Sequence, residues 1–317
     1  MVDLSIIIIN WNTKQFLFPC LRTIFEKGEG ISQEVIVVDN GSEDGSENEV
    51  KKAFPVVHLI ENEKNLGFSK AVNQGLQKAS GRYLLFLNPD TQLREGAIEN
   101  LVSFMESHAE AGVAGAQLLK GDGSKQNSIA NFPSLTTELL NKNLLRRLFP
   151  KKFPGKEKDY PEPIEVDSVI GACMMVRRDV LDQVGLLDED YFLFLEETDW
   201  CYRIKRAGWR IYHVPQAEVY HFQGKSAETV KKRARVEFYR SRYHFFRKHR
   251  GYSQFVVLFA GLVVRLTVEV VLLGIASLLT FFVVKKCRRK LSVYSHLLGW
   301  HLRLCPEGSG LRIKEKS

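Results

Sequence analysis

Along the first two thirds of this chain, short unbroken apolar runs alternate with segments whose apolar residues recur every three to four positions. That alternation predicts an α/β fold with a central, mostly parallel sheet. Leu4–Ile9 is a continuous apolar, β-branched run, as expected of a strand buried on both faces. Helical spacing follows from about Lys14 to Lys27, carried by Phe16, Leu17, Cys20, Leu21, Ile24 and Phe25. Further strands are expected at Glu34–Asp39, Val56–Ile60, Tyr83–Leu87 and Gly112–Leu118, and helices at Gly67–Ala79 and Arg94–His108. Between about Gly121 and Pro163 the pattern fails, and Lys, Asn and Pro accumulate around one helical candidate, Thr136–Leu148. This stretch reads either as a mobile loop beside an active site or as a surface insertion. Order returns with a strand over Val166–Val176 and a short helix over Arg178–Val184. From Leu187 an aromatic run (Tyr191, Phe192, Phe194) precedes Glu196, Glu197 and Asp199 and then a helix-like segment. Two strand-like pieces lead on to His221, with Gly224 and Ser226 just beyond.

The last third has a different pattern. A basic, aromatic helix is expected over about Ala227–Lys248, and Phe255–Val284 is almost wholly apolar, broken by Arg265 and Glu269. Those two residues are four apart and can pair on one helix face. The run approaches the length needed to cross a bilayer, and dense positive charge flanks it at Arg240–Arg250 and Lys285–Lys290. It is expected to span the membrane or to lie in its interface. The net charge of +8 conceals an asymmetry: residues 225–317 hold 20 Lys/Arg against 5 Asp/Glu, and the preceding residues hold 25 against 32. A membrane-length segment inside the basic part points to anionic lipid and away from nucleic acid. The expected organisation is a catalytic domain over 1–226 and a basic aromatic helix over 227–254. A membrane-associated helix with its basic flank follows over 255–290, then a tail over 291–317. The five widely spaced cysteines form no CxxC pair, which argues against a disulfide framework or a zinc knuckle. The opening MVDLSIIIINWN carries no basic n-region or cleavage site and reads as a first strand.

The first turn weakens two nucleotide-binding readings. A dinucleotide fold needs glycines after strand one, and a phosphate-cradling P-loop needs them too, but Asn10–Gln15 contains none. Polar and acidic residues stand at the strand ends instead, where ligands of open α/β sheets bind. Asp39 can accept hydrogen bonds from a base or ribose, or can simply initiate the Asp-Asn-Gly-Ser turn. Trp11 can supply a stacking face or fill a core. Asp90, presented by Pro89, suits a divalent cation that neutralises a diphosphate. Glu196, Glu197 and Asp199 could supply a general base, or merely complement a helix dipole.

Taken in order, SIIIINWN, VVDNGSEDGS, EKNLGF, the strand ending NPD, IGACMMVRRDVL, LDEDYFLFLEETDWCYRIKRAGW and VYHFQGKS resemble the inverting, nonprocessive glycosyltransferases of family 2. The similarity is strongest to bacterial rhamnosyltransferase-like members and covers about residues 3 to 250. It implies the GT-A nucleotide-sugar-binding fold, a UDP- or dTDP-sugar donor, and Mg²⁺ or Mn²⁺. The implied roles place Asp39, Asn65 and Trp11 around the nucleoside, and Asp90 with His221 at the metal and diphosphate. The family's Glu-Asp-x-Asp appears as Glu196-Glu197-Thr198-Asp199, which maps the base onto Glu197 with Glu196 and Asp199 as supporting acids. Relatives often carry an arginine where DGSKQNSIANFPS has Ala130 and Asn131, and the QxxRW motif of processive synthases is absent. The expected activity is sugar transfer to a glycan or lipid-linked acceptor at the cytoplasmic face of a membrane, in cell-wall or surface-polysaccharide assembly. The competing expectation is a catalytically silent sugar-nucleotide-binding scaffold.

Overall fold

The structure, a computed structural model, describes residues 2–27, 30–155, 158–222 and 231–312. In chain order its elements are β1 (Leu4–Asn10), α1 (Lys14–Lys27), β2 (Gln33–Asp39), α2 (Ser46–Ala53), β3 (His58–Glu61), α3 (Phe68–Lys78), β4 (Tyr83–Leu87), β5 (Thr91–Leu93) and α4 (Ala97–Ser107). Next come β6 (Ala111–Leu119), β7 (Ile129–Ala130), α5 (Leu135–Leu139), α6 (Lys142–Leu148), β8 (Ile164–Glu165), β9 (Ser168–Val169), β10 (Cys173–Arg177) and α7 (Arg178–Val184). Then follow α8 (Glu196–Arg206), β11 (Arg210–His221), α9 (Lys231–His249), α10 (Tyr252–Leu279) and α11 (Lys285–Leu302). Gly224, Ser226 and the start of the helix expected from Ala227 lie outside the described residues.

The chain divides into two compact units: Met1–Phe132 with Arg146–Tyr191 and Glu196–Ser226, and Pro133–Leu145 with Phe192–Leu195 and Ala227–Ser317. The first is the α/β unit. Its sheet runs in the order β3-β2-β1-β4-β10-β6-β11-β5, parallel from β3 through β4 and again between β6 and β11. β10 enters antiparallel between β4 and β6. The alternation of strand side chains supplies two cores. Ile6 and Ile8 of β1 pack on one face with Leu17, Leu21 and Ile24 of α1. Ile7 and Ile9 pack on the other with Ala71, Val72 and Leu76 of α3 and with Trp200 and Ile204 of α8. Burial of this kind is worth about 25 cal/mol per Å² of apolar surface, so both faces of β1 contribute to stability.

The register gathers one edge. Asn10 lies beside Asp39 and Asp39 beside Glu61, at the carboxyl ends of β1, β2 and β3. Cys173, the first residue of antiparallel β10, pairs with Leu87, the last of β4, and His221 at the end of β11 pairs with Thr91. The Asn88–Asp90 turn, the Ile170–Ala172 segment and His221 therefore share that edge.

Several expected elements are divided. The strand expected over Val166–Val176 is interrupted, because the Ile170 amide turns aside to the Ser128 carbonyl (3.0 Å) and the Ala172 carbonyl receives the Asn88 amide (2.9 Å). The helix expected over Thr136–Leu148 becomes α5 and α6. The Asn141 side chain accepts from the amides of Asn143 (2.9 Å) and Leu144 (3.2 Å), starting a new helix instead of continuing the old. The helix expected from Arg94 begins at Ala97, since Thr91–Leu93 pairs with β11.

In the second unit, α10 buries Phe255, Leu258, Leu262 and Leu266, a stripe at helical spacing. Among the described residues it is the one helix long and apolar enough to cross a membrane: 28 residues, mean hydropathy 2.4 over its most apolar window, of which 17% is buried. Arg265 pairs with Glu269 at 3.1 Å. The apolar run expected to continue to Val284 ends as helix at Leu279, where Phe281 and Phe282 take left-handed φ of 47° and 58°. α11 then packs along α10, and its buried His301 receives the Tyr243 hydroxyl at 2.6 Å through Nε2.

Candidate active site

Each strand-end turn is stitched by its own polar residues. Asn10, fully buried, donates from Nδ2 to Asp39 Oδ2 (2.7 Å), to Ser46 Oγ (2.7 Å) and to Ser42 Oγ (3.1 Å). Asp39, 4% exposed, also accepts from the Ser42 amide (2.8 Å) and the Ser46 hydroxyl (3.3 Å). Its carboxylate therefore organises the turn after β2 and ties it to the turn after β1. Asn12 extends the tie by accepting from the Glu43 amide at 2.8 Å, with φ of 53°. Trp11, between Asn10 and Asn12, is left 38% exposed, an indole face on the surface and not a core filler. Gly41 is required twice over: its φ is +73°, and a Cβ there would come within 2.6 Å of the Lys64 backbone.

Asn65 is reached through a residue that the sequence pattern did not single out. Asn40, buried next to Asp39, donates to Asn65 Oδ1 (3.1 Å) and to the Gly67 carbonyl (3.3 Å). Its own oxygen accepts from the Leu66 amide (3.0 Å) and from Asn62 (3.2 Å). The EKNLGF loop is thereby fastened to the end of β2, which places Asn65, Asp39 and Trp11 along one rim.

Asp90 and His221 meet. His221 Nε2 lies 3.4 Å from Asp90 Oδ1, with both side chains about one-tenth exposed, and the Phe222 amide donates to the Asp90 carbonyl (2.9 Å). Gln126, also missed by the sequence pattern, orients the ring. Its amide nitrogen donates to the His221 carbonyl (3.3 Å), which turns its oxygen toward Nδ1 at 2.7 Å. With Nδ1 donating to Gln126, Nε2 is the nitrogen turned toward Asp90. Two acceptors converging in this way fit a shared divalent cation, and an outer-shell amide fixing the tautomer is the usual companion of a metal-binding histidine. The turn that presents Asp90 rests on Cys20, whose Sγ lies 3.7 Å from the Asn88 carbonyl and 3.6 Å from Thr91 Oγ1. Burial pushes the Cys20 thiol up to about 12, so this cysteine is packing, not a nucleophile.

The three acids of α8 separate by surroundings. Asp199, fully buried, accepts from Arg203 Nε (2.9 Å) and from the Tyr191 hydroxyl (3.3 Å), while Arg203 also donates to the Val184 and Leu186 carbonyls. It holds the approach to the helix together. Glu196 is buried with one carboxylate oxygen unpartnered, and burial and the neighbouring Glu197 charge hold its pKa well above the ordinary range. Glu197 is half-buried, also with one oxygen unpartnered. Burial lifts its pKa to about 6, against the pull of the Glu197 and Thr198 amides at the helix start. Phe194 and Leu195, immediately before these acids, hold left-handed φ of 73° and 65°, a costly conformation for residues with side chains.

Gly171 links this helix to the other turns. A Cβ there would sit 3.5 Å from Glu197 Cβ, and the next residue, Ala172, accepts from the Asn88 amide two positions before Asp90. The close approach at Gly171 packs the Glu197 side chain against the segment that supports the Asp90 turn. At the expected arginine position the chain uses Asn131 structurally, donating to the Lys152 carbonyl (3.1 Å) and Asp167 (3.3 Å). The site thus gathers an aspartate–histidine pair with the donor set a divalent cation could use, an exposed indole on a stitched rim, and a carboxylate whose pKa burial lifts to about 6.

A family model described as glycosyl transferase family 2 matches residues 5–185, ending before α8. The chain is 31% identical over 207 residues to the N-acetylglucosaminyl-diphospho-decaprenol L-rhamnosyltransferase of Mycobacterium tuberculosis (strain CDC 1551 / Oshkosh), covering 61% of this chain and 67% of that one. It is 30% identical over 226 residues to the low-salt glycan biosynthesis hexosyltransferase Agl10 of Haloferax volcanii, covering 70% and 67%. Among solved structures, the mannosyltransferase PcManGT from Pyrobaculum calidifontis in complex with GDP-Man and Mn²⁺ superposes with a TM-score of 0.56. That match has 16% identity and covers 95% of this chain and 86% of that one, a likeness of fold.

Proposed function

This chain belongs to glycosyl transferase family 2, and from that premise we propose that it is an inverting, nonprocessive glycosyltransferase with a nucleoside-diphosphate sugar as donor. The observation that carries the reading is Glu197: a carboxylate at a helix start, lifted by burial to a pKa of about 6 and packed beside Gly171, next to the segment that holds the Asp90 turn. A base poised near the working pH suits removal of a proton from an acceptor hydroxyl. Glu197 takes that proton as the hydroxyl oxygen attacks the anomeric carbon from the face opposite the leaving group. The bond from that carbon to the diphosphate oxygen breaks, and the nucleoside diphosphate departs with the electron pair. Burial and the neighbouring Glu197 charge raise the Glu196 pKa, and Asp199 keeps the helix in place through Arg203 and Tyr191.

Trp11 offers its indole to the base, and Asp39 and Asn65 shape the nucleoside end of the rim. Asp90 and His221 are the residues that would hold Mg²⁺ or Mn²⁺, which when bound neutralises charge on the diphosphate. UDP- or dTDP-sugars are the donor class. The relatives' names, one with a decaprenol-linked acceptor, support rhamnosyl or hexosyl transfer to a glycan or lipid-linked acceptor in cell-wall or surface-polysaccharide assembly. The exposed apolar helix α10 and its basic flanks support attachment to a membrane, with the catalytic unit on the cytoplasmic face, where nucleotide sugars are made. The proposed organisation remains a catalytic domain over 1–226, a basic helix over 227–254, a membrane-associated part over 255–290 and a tail.

The test is a panel of UDP- and dTDP-sugars with Mn²⁺ or Mg²⁺, read as nucleoside diphosphate release and as the anomeric configuration of the product. Release with one donor class and an inverted product is expected. No release with any donor, or a retained configuration, would overturn the reading.

A further inference from the structure

The helical unit contains a cavity of about 730 Å³ between one face of α9, the start of α10 and the end of α11. Its two long walls are opposite in character. Arg240, His244 and Arg247 lie at spacings of four and three on one face of α9, and the two arginines carry its positive charge. Tyr252, Phe255, Val256 and Phe259 lie at spacings of three, one and three on α10, one apolar stripe. Trp300 lies between them, and the chain after α11 completes the wall with Glu307, its one acidic residue.

The cations are held for use. Arg240 donates from Nη2 to the Pro306 carbonyl at 2.7 Å, and its guanidinium lies over the Trp300 ring. Glu237, the nearby carboxylate, stands 3.8 Å from Arg240 Nη1 and is already accepting from the Leu311 amide at 3.0 Å. Arg247 is exposed and lies over the Phe255 ring at 4.2 Å, where the cation joins the two walls. The apolar wall does not stop at the cavity. Tyr252 is 74% exposed, and the exposed run continues through Val256, Val264, Val268 and Val271 toward the far end of α10.

We propose that this cavity binds a lipid whose headgroup ends in an unsubstituted phosphate, with that terminal phosphate on Arg240 and Arg247 and the chain laid along the apolar stripe of α10. Planar guanidinium groups match phosphate oxygens in pairs, and an aromatic-lined floor dries the site and strengthens the contact. A soluble phosphate would use the arginines and leave Tyr252, Val256 and Phe259 idle. A bilayer attracted by general surface charge would instead favour the exposed Lys285–Lys290 stretch of α11. The proposal deepens the membrane-attachment part of the proposed function, and it concerns binding, so its test does not depend on sugar transfer.

The test uses the full chain and co-sedimentation with phosphatidylcholine vesicles containing either phosphatidic acid or phosphatidylserine, matched in surface potential. Binding to the phosphatidic acid vesicles should be tighter by about tenfold, the scale of one well-made arginine–phosphate contact. Arg247→Glu, at an exposed position, should erase that preference, and the milder Arg240→Gln with Arg247→Gln, checked for an unchanged circular dichroism spectrum, should do the same. The Lys286→Gln, Arg289→Gln control should weaken both vesicle types alike and keep the preference. Equal binding to both vesicle types, or a preference that survives Arg247→Glu, would overturn the pocket while leaving membrane attachment intact. Saturable binding of inorganic phosphate to the parent, lost in Arg240→Gln with Arg247→Gln, together with no phosphatidic acid preference, would show a soluble-phosphate site and overturn the lipid assignment. Binding to no vesicle would overturn both.

Discussion

Replacing Glu197 by Gln keeps the shape of the side chain and removes its charge from a desolvated place. Burial raises the Glu197 pKa from its ordinary 4.5 to about 6. Each tenfold change in proton affinity is worth about 1.4 kcal/mol, so the ionised carboxylate costs the fold about 2 kcal/mol. A carboxyl whose folded pKa lies above its unfolded value supports the fold in its protonated form. That support is complete below about pH 4.5, declines as the pH climbs toward about 6, and is gone above it. Glu197→Gln should therefore be more stable than the parent by about 2 kcal/mol at about pH 8, and equal to it near pH 4. Glu196 acts in the same direction, because loss of the Glu197 charge removes one of the causes that hold its proton. Urea denaturation at the two pH values measures the difference, with buried Trp200 of α8 as a fluorescent reporter. In the same preparations, nucleoside diphosphate release should fall by about 10²–10⁴-fold, the usual share of a general base. In the parent enzyme that release should rise with pH through about 6 as Glu197 loses its proton. A variant no more stable than the parent at about pH 8, or equally gained at both pH values, would refute the account of Glu197 as a charge held in a desolvated site.

Other outcomes follow from the same geometry. Gln126→Leu removes the acceptor at 2.7 Å from His221 Nδ1, so activation by Mn²⁺ should require about 10–100-fold more metal, measured by titrating activity. Arg203→Leu leaves Asp199 buried without its ion pair and should cost about 3–5 kcal/mol in urea denaturation. Asp39→Ala orphans donors from Asn10, Ser42 and Ser46 at once, and a loss of about 3 kcal/mol is expected; a fall in nucleotide affinity with unchanged stability would contradict its place in the turn.

The α/β unit was largely legible because its signals are local. An unbroken run such as Leu4–Ile9 can be satisfied only by burial on two faces, and Leu17, Cys20, Leu21 and Ile24 share one side of a helix wherever that helix docks. The acids at Glu196, Glu197 and Asp199 were visible as a cluster, since charged residues behind an aromatic run stand out. The family resemblance supplied the order of the motifs, and the family match covers most of the sheet-forming residues. Elements whose existence depends on distant partners were not legible. β5 is three residues that form a strand because β11 passes beside them, and the gap at Ile170–Ala172 exists because Ser128 and Asn88 take its backbone groups.

What sequence by itself determined, then, is periodicity and inventory: which segments bury one face or two, where the acids and the histidine stand, and that the basic end carries a membrane-length apolar helix. Tertiary structure decided which of these residues meet. Asn10, Asn40 and Gln126 carry no pattern of their own, yet one ties two strand ends, one fastens the Asn65 loop, and one sets the His221 tautomer across 95 residues of chain. The three acids of α8 are chemically alike in sequence and differ only in surroundings. Asp199 is consumed by Arg203, Glu196 has its pKa raised by burial and by the Glu197 charge, and Glu197 is left with a pKa of about 6 beside Gly171. The physical reason is that a proton's affinity and a hydrogen bond's partner depend on what lies within a few ångströms, and that distance is set by the fold, not by position along the chain.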